Sequence, residues 1–200
     1  MESKDSSIME LVFASRNNNK IIEIQEILGG VVKVRSLSEI GFDEEIVESA
    51  STIAGNSLLK AKCIHEKFKY NSISDDTGLE VESLNGDPGV YSARYAGVNA
   101  NAHENIKKLL NNLSGKKNRK ACFKTVITLI IHGNVHQFEG VVNGTISSQV
   151  RGNNGFGYDP VFIPSDYDKT FAEMQSSEKN KISHRFLALK KTVDFMSGIT

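Results

Sequence analysis

Residues 121–150 read ACFKTVITLIIHGNVHQFEGVVNGTISSQV, and this stretch decides the fold class. Apolar and β-branched residues fill Ala121–Ile131, Gln137–Val142 and Thr145–Val150. The breaks between them, His132-Gly133-Asn134 and Asn143-Gly144, are turn sequences. An Asn-Gly pair between extended runs is a strong hairpin signal, so the spacing predicts an antiparallel meander. Upstream the pattern alternates instead. Met9–Ala14 reads as a short buried strand, followed by a helix with Ile21, Ile24 and Leu28 on one face and Gly29-Gly30 as its stop. Val31–Leu37 reads as a second strand. A helix over Thr52–Phe68 has Leu59, Ile64 and Phe68 turned inward.

Ser72–Ser74 and Leu79–Val81 read as short extended pieces around a loop, Asp75-Asp76-Thr77-Gly78, and residues 85–89 form a turn cluster. Asn101 with Glu104 three residues on is a capping-box pattern for a helix striped by Ile106, Leu109, Leu110 and Leu113. A last helix runs from Ser177 or Glu178 to Met196, with Ile182, Phe186, Leu189, Val193 and Met196 on one face. Alternating strands and helices, then a meander, then a helix predict an α/β fold with a mixed sheet. Residues 1–8 read as a polar leader and 9–200 as a single domain.

Charge narrows the function. The 24 basic and 24 acidic residues leave a formal net charge of zero. That argues against gripping nucleic acid by bulk charge and against a polybasic membrane binder. No apolar run approaches the length of about 18 residues that a membrane span needs. Cys63 and Cys122 match no metal spacing, so two reduced thiols in a cytosolic protein are expected.

Four groups of residues can carry chemistry. Ser15-Arg16-Asn17-Asn18-Asn19-Lys20 sits at a strand-to-helix junction, where helix N–H groups and a Lys suit a phosphate; on spacing alone it reads first as an Asn-rich helix cap with a solvated Lys. Acids occur at Asp43, Glu44, Glu45 and Glu48, and again at Asp75 and Asp76. Adjacent carboxylates on an extended chain point to opposite sides, so one of Asp75 and Asp76 is expected in any one site. Converging carboxylates suit Mg²⁺, whereas apart they are a solvated surface or an Asx turn. The segment GNNGFGYDP at 152–160 places two aromatics among glycines, fit to stack a base or to form a buried aromatic corner. Lys179, His184 and Arg185 alone read as a solvated face, although a His beside an Arg could donate to a purine oxygen.

Together these segments resemble the inosine triphosphate pyrophosphatase family. The most specific are SDDTGLEV at 74–81, GDPGVYSARYAG at 86–97, GFGYDPVFIP at 155–164 and SHRFLAL at 183–189, in the family's order. The resemblance implies an elongated two-lobed α/β fold, its central mixed, twisted sheet flanked by helices and its active-site cleft between the lobes. It implies a homodimer that hydrolyses ITP, dITP and XTP to the monophosphate and pyrophosphate with Mg²⁺.

By position, Ser15–Lys20 match the phosphate loop, with Asn17 and Lys20 its firmest members. Glu48 matches a metal-binding acid; Asn56 and Lys60 match helix positions facing the triphosphate. Asp76 matches the metal-linked acid that takes a proton from the attacking water, and Thr77 a substrate-contacting hydroxyl. Phe156, Gly157, Tyr158 and Asp159 match the base and sugar loop, and Lys179, His184 and Arg185 the base-reading set. Selectivity is expected from groups that bond the 6-oxo edge and leave a 6-amino group badly paired. Arg16, Ala50 and Gly55 depart from the family's Gly, Gly and acid. Two other readings are a non-catalytic nucleotide-binding regulator on the same fold and a pyrophosphatase for modified pyrimidine nucleotides.

Overall fold

The computed structural model describes residues 9–28 and 32–198. The expected leader and the Gly29-Gly30 stop lie outside them. Strand β1 (Glu10–Phe13) lies parallel between β2 (Lys33–Arg35) and β3 (Ser72–Val81). β3 pairs antiparallel along its length with β5 (Lys120–Ile131), which pairs with β6 (Asn134–Ile146), and β6 ends against β7 (Phe162–Pro164). A two-residue strand, β4 (Pro88–Gly89), joins the far end of β3. The sheet order is β2-β1-β3-β5-β6-β7, mixed as expected. Helices α1 (Asn18–Leu28), α2 (Ile53–Phe68), α3 (Ala102–Asn112), α4 (Ser176–Ile182) and α5 (His184–Ser197) complete the architecture. The Asn101–Glu104 capping box of α3 is present.

Several local expectations are corrected. Asp75-Asp76-Thr77-Gly78 is not a loop: each residue pairs with β5 inside one continuous strand. Asn143-Gly144 is not a turn either, being paired with Cys122 and Ala121 within β6, which ends at Ile146. Gly144 is needed there because a Cβ would collide with the Ile163 carbonyl of β7. The hairpin turn is His132-Gly133, both at positive φ (49° and 82°), the signs a type I′ connection requires. Strand β2 covers only Lys33–Arg35 of the expected run.

The last helix is interrupted at Ser183, whose backbone is extended and whose hydroxyl accepts from Phe186 N to cap α5. Leu59 is 37% exposed; the inner face of α2 is Ile53, Asn56, Ser57, Lys60, Ala61 and Ile64. Polar residues take that face because Ser74 and Thr128 oppose it. The Ser57 hydroxyl lies 3.2 Å from that of Ser74 and 2.8 Å from that of Thr128.

Two apolar cores flank one side of the long β3–β5 ladder. Leu11, Phe13, Ile24, Ile73, Leu129 and Leu189 belong to the first. Leu79, Leu109, Phe123, Phe162 and Phe171 belong to the second. Side chains alternate along β3, so Asp75 and Thr77 fall between Ile73 and Leu79, in the seam between the cores. Asp76 points the other way, toward α2. The edge of β3 is also open at this point. β1 pairs last at Ile73 and β4 pairs first at Leu79, and no other described strand covers Ser74–Gly78 on that edge. A gap in the sheet exposes both of its faces at one place. Helix α5 closes over one of them because Gly140 of β6 has no side chain; a Cβ there would strike His184 O and come within 2.6 Å of Ala188 N.

Candidate active site

A cavity of about 560 Å³ fills this gap. Every expected site residue lines it except Asn18 and Asn56. Its wall reaches both faces of β3, which is why Asp76 and Thr77, successive residues with opposed side chains, both belong to it.

On the α2 side, Lys60 Nζ lies 2.6 Å from Glu48 Oε1 and 3.2 Å from Asp76 Oδ1. One ammonium thus holds two carboxylates at the cavity wall. Burial raises the pKa of Asp76, with Glu48 and Asp75 adding to the effect against the pull of Lys60 and Lys20. Arg94 Nη1 stands 4.0 Å from Glu48 Oε2. Among the described residues, no cluster of three or more His, Cys, Asp or Glu forms a ready-made metal cage. Two converging carboxylates are the donor set expected for a hard cation that keeps waters and takes substrate oxygens.

Asn56 is fully buried and acts one step back. Its Oδ1 accepts from Ala50 N at 2.9 Å, fixing the loop that carries Glu48, and its Nδ2 has no partner. Two departures from the family pattern meet here. A Cβ at Gly55 would lie 2.6 Å from the Ala50 Cβ and 2.9 Å from the capping Thr52 Oγ1. The Ala50 methyl therefore occupies the room that a side chain at position 55 would use.

At the end of β1, the helix-cap and phosphate-loop readings of 15–20 are compatible. Asn17 Oδ1 accepts from Asn19 N and Lys20 N at 3.0 and 3.3 Å, while Ser15, Asn17, Asn19 and Lys20 line the cavity. Lys20 Nζ is 3.0 Å from Asp75 Oδ1, and burial lowers its pKa. Arg16 also lines the cavity, with its Nη2 bonded to main-chain oxygens. That nitrogen donates to Glu44 O at 2.9 Å and Phe42 O at 3.4 Å, tying the 15–20 loop to the acidic segment.

The opposite end is aromatic and cationic. Lys179 Nζ and the Arg185 guanidinium stand 4.8 and 5.6 Å from the centre of the Phe156 ring. Asp159 Oδ2 accepts from Phe156 N at 2.7 Å and from Lys179 at 2.9 Å. Gly155 admits this turn, since a Cβ there would collide with the Asp159 carboxylate. Tyr158 donates its hydroxyl to Ser92 O at 2.9 Å. The solvated-face reading of Lys179, His184 and Arg185 is overturned: they are 5%, 4% and 1% exposed. What buries them is pairing. Arg185 donates from Nε to Asp75 Oδ2 at 3.0 Å and from Nη1 to Glu23 Oε2; Lys179 Nζ lies 3.1 Å from Glu23 Oε1.

Glu23, Asp75 and Thr125, whose hydroxyl lies 2.6 Å from His184 Nδ1, were not among the expected site residues. Glu23 is more than 150 positions from the cations it pairs, and no local spacing announces it. Asp75 could have been suspected from its alternation with Asp76, which places it on the α5 face.

A family model described as the Ham1 family matches residues 11–195. A dITP/XTP pyrophosphatase of Flavobacterium psychrophilum is 52% identical over 190 residues, 95% of this chain and 100% of that protein. One from Porphyromonas gingivalis is 52% identical over 188 residues, 94% and 97% of the two chains. The Staphylococcus aureus Ham1 protein structure superimposes with a TM-score of 0.88 at 40% identity, over 96% of this chain and 100% of that one. A HAM1 protein from Coxiella burnetii gives 0.89 at 36% identity, with the same coverage.

Two stability measurements follow from the geometry. Lys20, Arg185 and Lys60 outweigh burial and hold the Asp75 carboxyl below its usual range. Its stabilisation is therefore present above the unfolded-state pKa of about 3.9 and is lost as pH falls through the folded value. Asp75→Asn is expected to cost about 3–5 kcal/mol at neutral pH, and the melting gap between variant and wild type should narrow below about pH 4. A gap independent of pH would contradict the charge pairing. Gly55→Ala would gain about 1 kcal/mol of helix propensity but meets Ala50. It should therefore be more favourable by about 1 kcal/mol or more in an Ala50→Gly background, as a denaturation double-mutant cycle would register.

Proposed function

The chain belongs to the Ham1 family, and on that footing we propose that it hydrolyses non-canonical purine nucleoside triphosphates (ITP, dITP and XTP) to the monophosphate and pyrophosphate. One observation carries the reading: the same cavity has two lysine-linked carboxylates at one end and a ring with two cations at the other. That is a triphosphate end and a base end. Relatives at about half identity are named dITP/XTP pyrophosphatases.

In this reading the 15–20 loop and Lys20 receive phosphate oxygens through helix N–H groups and charge. Lys60 adds a second cation beside Asp76. Phe156 stacks the base, and Lys179 and Arg185, held by Glu23, Asp159 and Asp75, stand beside it. Asp76 takes the proton of a water whose oxygen attacks the α-phosphorus as the bond to the bridging oxygen breaks; its raised pKa makes it the stronger base. Asn56 and Arg16 keep the Glu48 loop in place. Glu48 and Asp76 would hold Mg²⁺, which when bound neutralises phosphate charge. Residues 9–200 would work as one domain, in a cytosolic homodimer. No described helix is long and apolar enough to cross a membrane.

Pyrophosphate release from ITP, XTP, GTP and dUTP, with and without Mg²⁺, tests this directly. Release from ITP and XTP that requires the metal is expected. Preference for dUTP would favour a pyrimidine enzyme, and ITP binding without release a regulator. Asp76→Asn should lower kcat about a thousandfold with nucleotide affinity retained; unchanged turnover removes Asp76 as the base.

A further inference from the structure

We propose that His184 meets the base as a hydrogen-bond acceptor, and that Thr125 is the positioning residue that makes it one. The inference deepens the purine reading above and rests on it. It starts at Asp75, whose two oxygens each face a cation, Lys20 Nζ at Oδ1 and Arg185 Nε at Oδ2, both at 3.0 Å. The Thr77 hydroxyl, 3.4 Å from Asp75 Oδ2, donates to it, and Arg185 Nη2 donates to the same Thr77 oxygen at 3.3 Å. With its own proton committed, Thr77 accepts from the Thr125 hydroxyl at 2.7 Å. Thr125 then has only lone pairs to offer His184 Nδ1, 2.6 Å away, so Nδ1 carries the proton.

The imidazole is neutral, because burial and then Arg185 hold its pKa well below the ordinary value. A neutral ring with its proton on Nδ1 bears a lone pair on Nε2. Nε2 has no hydrogen-bond partner among the described residues, and the ring lines the cavity. The lone pair is therefore available to the ligand.

The polarity bears on substrate class. Hypoxanthine and xanthine carry an N1–H donor beside O6, whereas adenine carries a lone pair at N1. An acceptor at Nε2 pairs with the first and repels the second. Donation from His184 to the purine oxygen, the sequence-based expectation, is the opposite arrangement. Charge for O6 comes instead from Lys179 and Arg185, which stand beside the same Phe156 ring.

Long-range ¹H–¹⁵N spectra of histidine-labelled protein at neutral pH read the tautomer without turnover, with His184 assigned by its loss in His184→Asn. The Nδ1–H form is expected, and the Nε2–H form overturns the proposal. Thr125→Val keeps the shape but removes the acceptor. It should abolish the preference for that tautomer and lower the ITP-to-ATP ratio of kcat/KM about tenfold, whereas Thr125→Ser should preserve both. A Thr125→Val enzyme with the wild-type tautomer and ratio overturns the role given to Thr125. Absence of turnover on every purine triphosphate would strike the proposed function and with it the contact to the base, while the spectrum decides the tautomer and the role of Thr125 separately.

Discussion

Asp75 and Arg185 meet in the seam between two apolar cores, both almost fully buried, with Nε 3.0 Å from Oδ2. Neither charge could be left there alone, because an unpaired buried ion costs several kcal/mol. The requirement for mutual neutralisation spreads outward. Arg185 also takes Glu23, Glu23 takes Lys179, Lys179 takes Asp159, and Asp159 holds the Phe156 turn. Asp75 takes Lys20 on its other oxygen. One ion pair thus ties α1, β3, the 155–159 loop, α4 and α5 into a single electrostatic unit around the cavity.

This unit explains why α5 starts where it does. A helix running unbroken from Ser177 would set its polar residues by a 3.6-residue period along one axis. The extended backbone at Ser183 restarts the helix, and the first turn of α5 then delivers His184 and Arg185 to the sheet gap. Gly140 allows the close approach that brings them within reach. The Gly and the Ser are as necessary to the site as the charges they position.

Much of this was legible in the residues. Apolar periodicity located α1, α2, α3 and β5, and the capping box at Asn101 was read correctly. The departures share a physical cause. Asp75-Asp76 looks like a turn because charge in a central strand is costly, and only partners distant in sequence (Lys20, Lys60, Arg185) remove that cost. Asn143-Gly144 looks like a hairpin because the steric demand of β7 on Gly144 cannot be seen locally. Leu59 was turned inward by its apolarity, whereas the sheet face opposite α2 is lined with hydroxyls. Motif resemblance picked out residues that, Asn18 and Asn56 apart, all line the cavity. It missed Glu23 and Thr125, whose contribution lies in orienting other side chains.

The five-residue stretch of β3 without an edge partner has a further consequence. A bare strand edge is a template on which another extended chain can add itself, and native sheets guard such edges. Here the guard is chemical. Lys20, Lys60, Glu48 and Asp76 line the opening with both signs of charge, which an incoming apolar strand cannot satisfy and would have to dehydrate. A small polyanion with a cation can satisfy it. Under the proposed function the side chains that receive a nucleotide are also those that keep the sheet from recruiting its own kind, so neutralising them endangers solubility as well as activity.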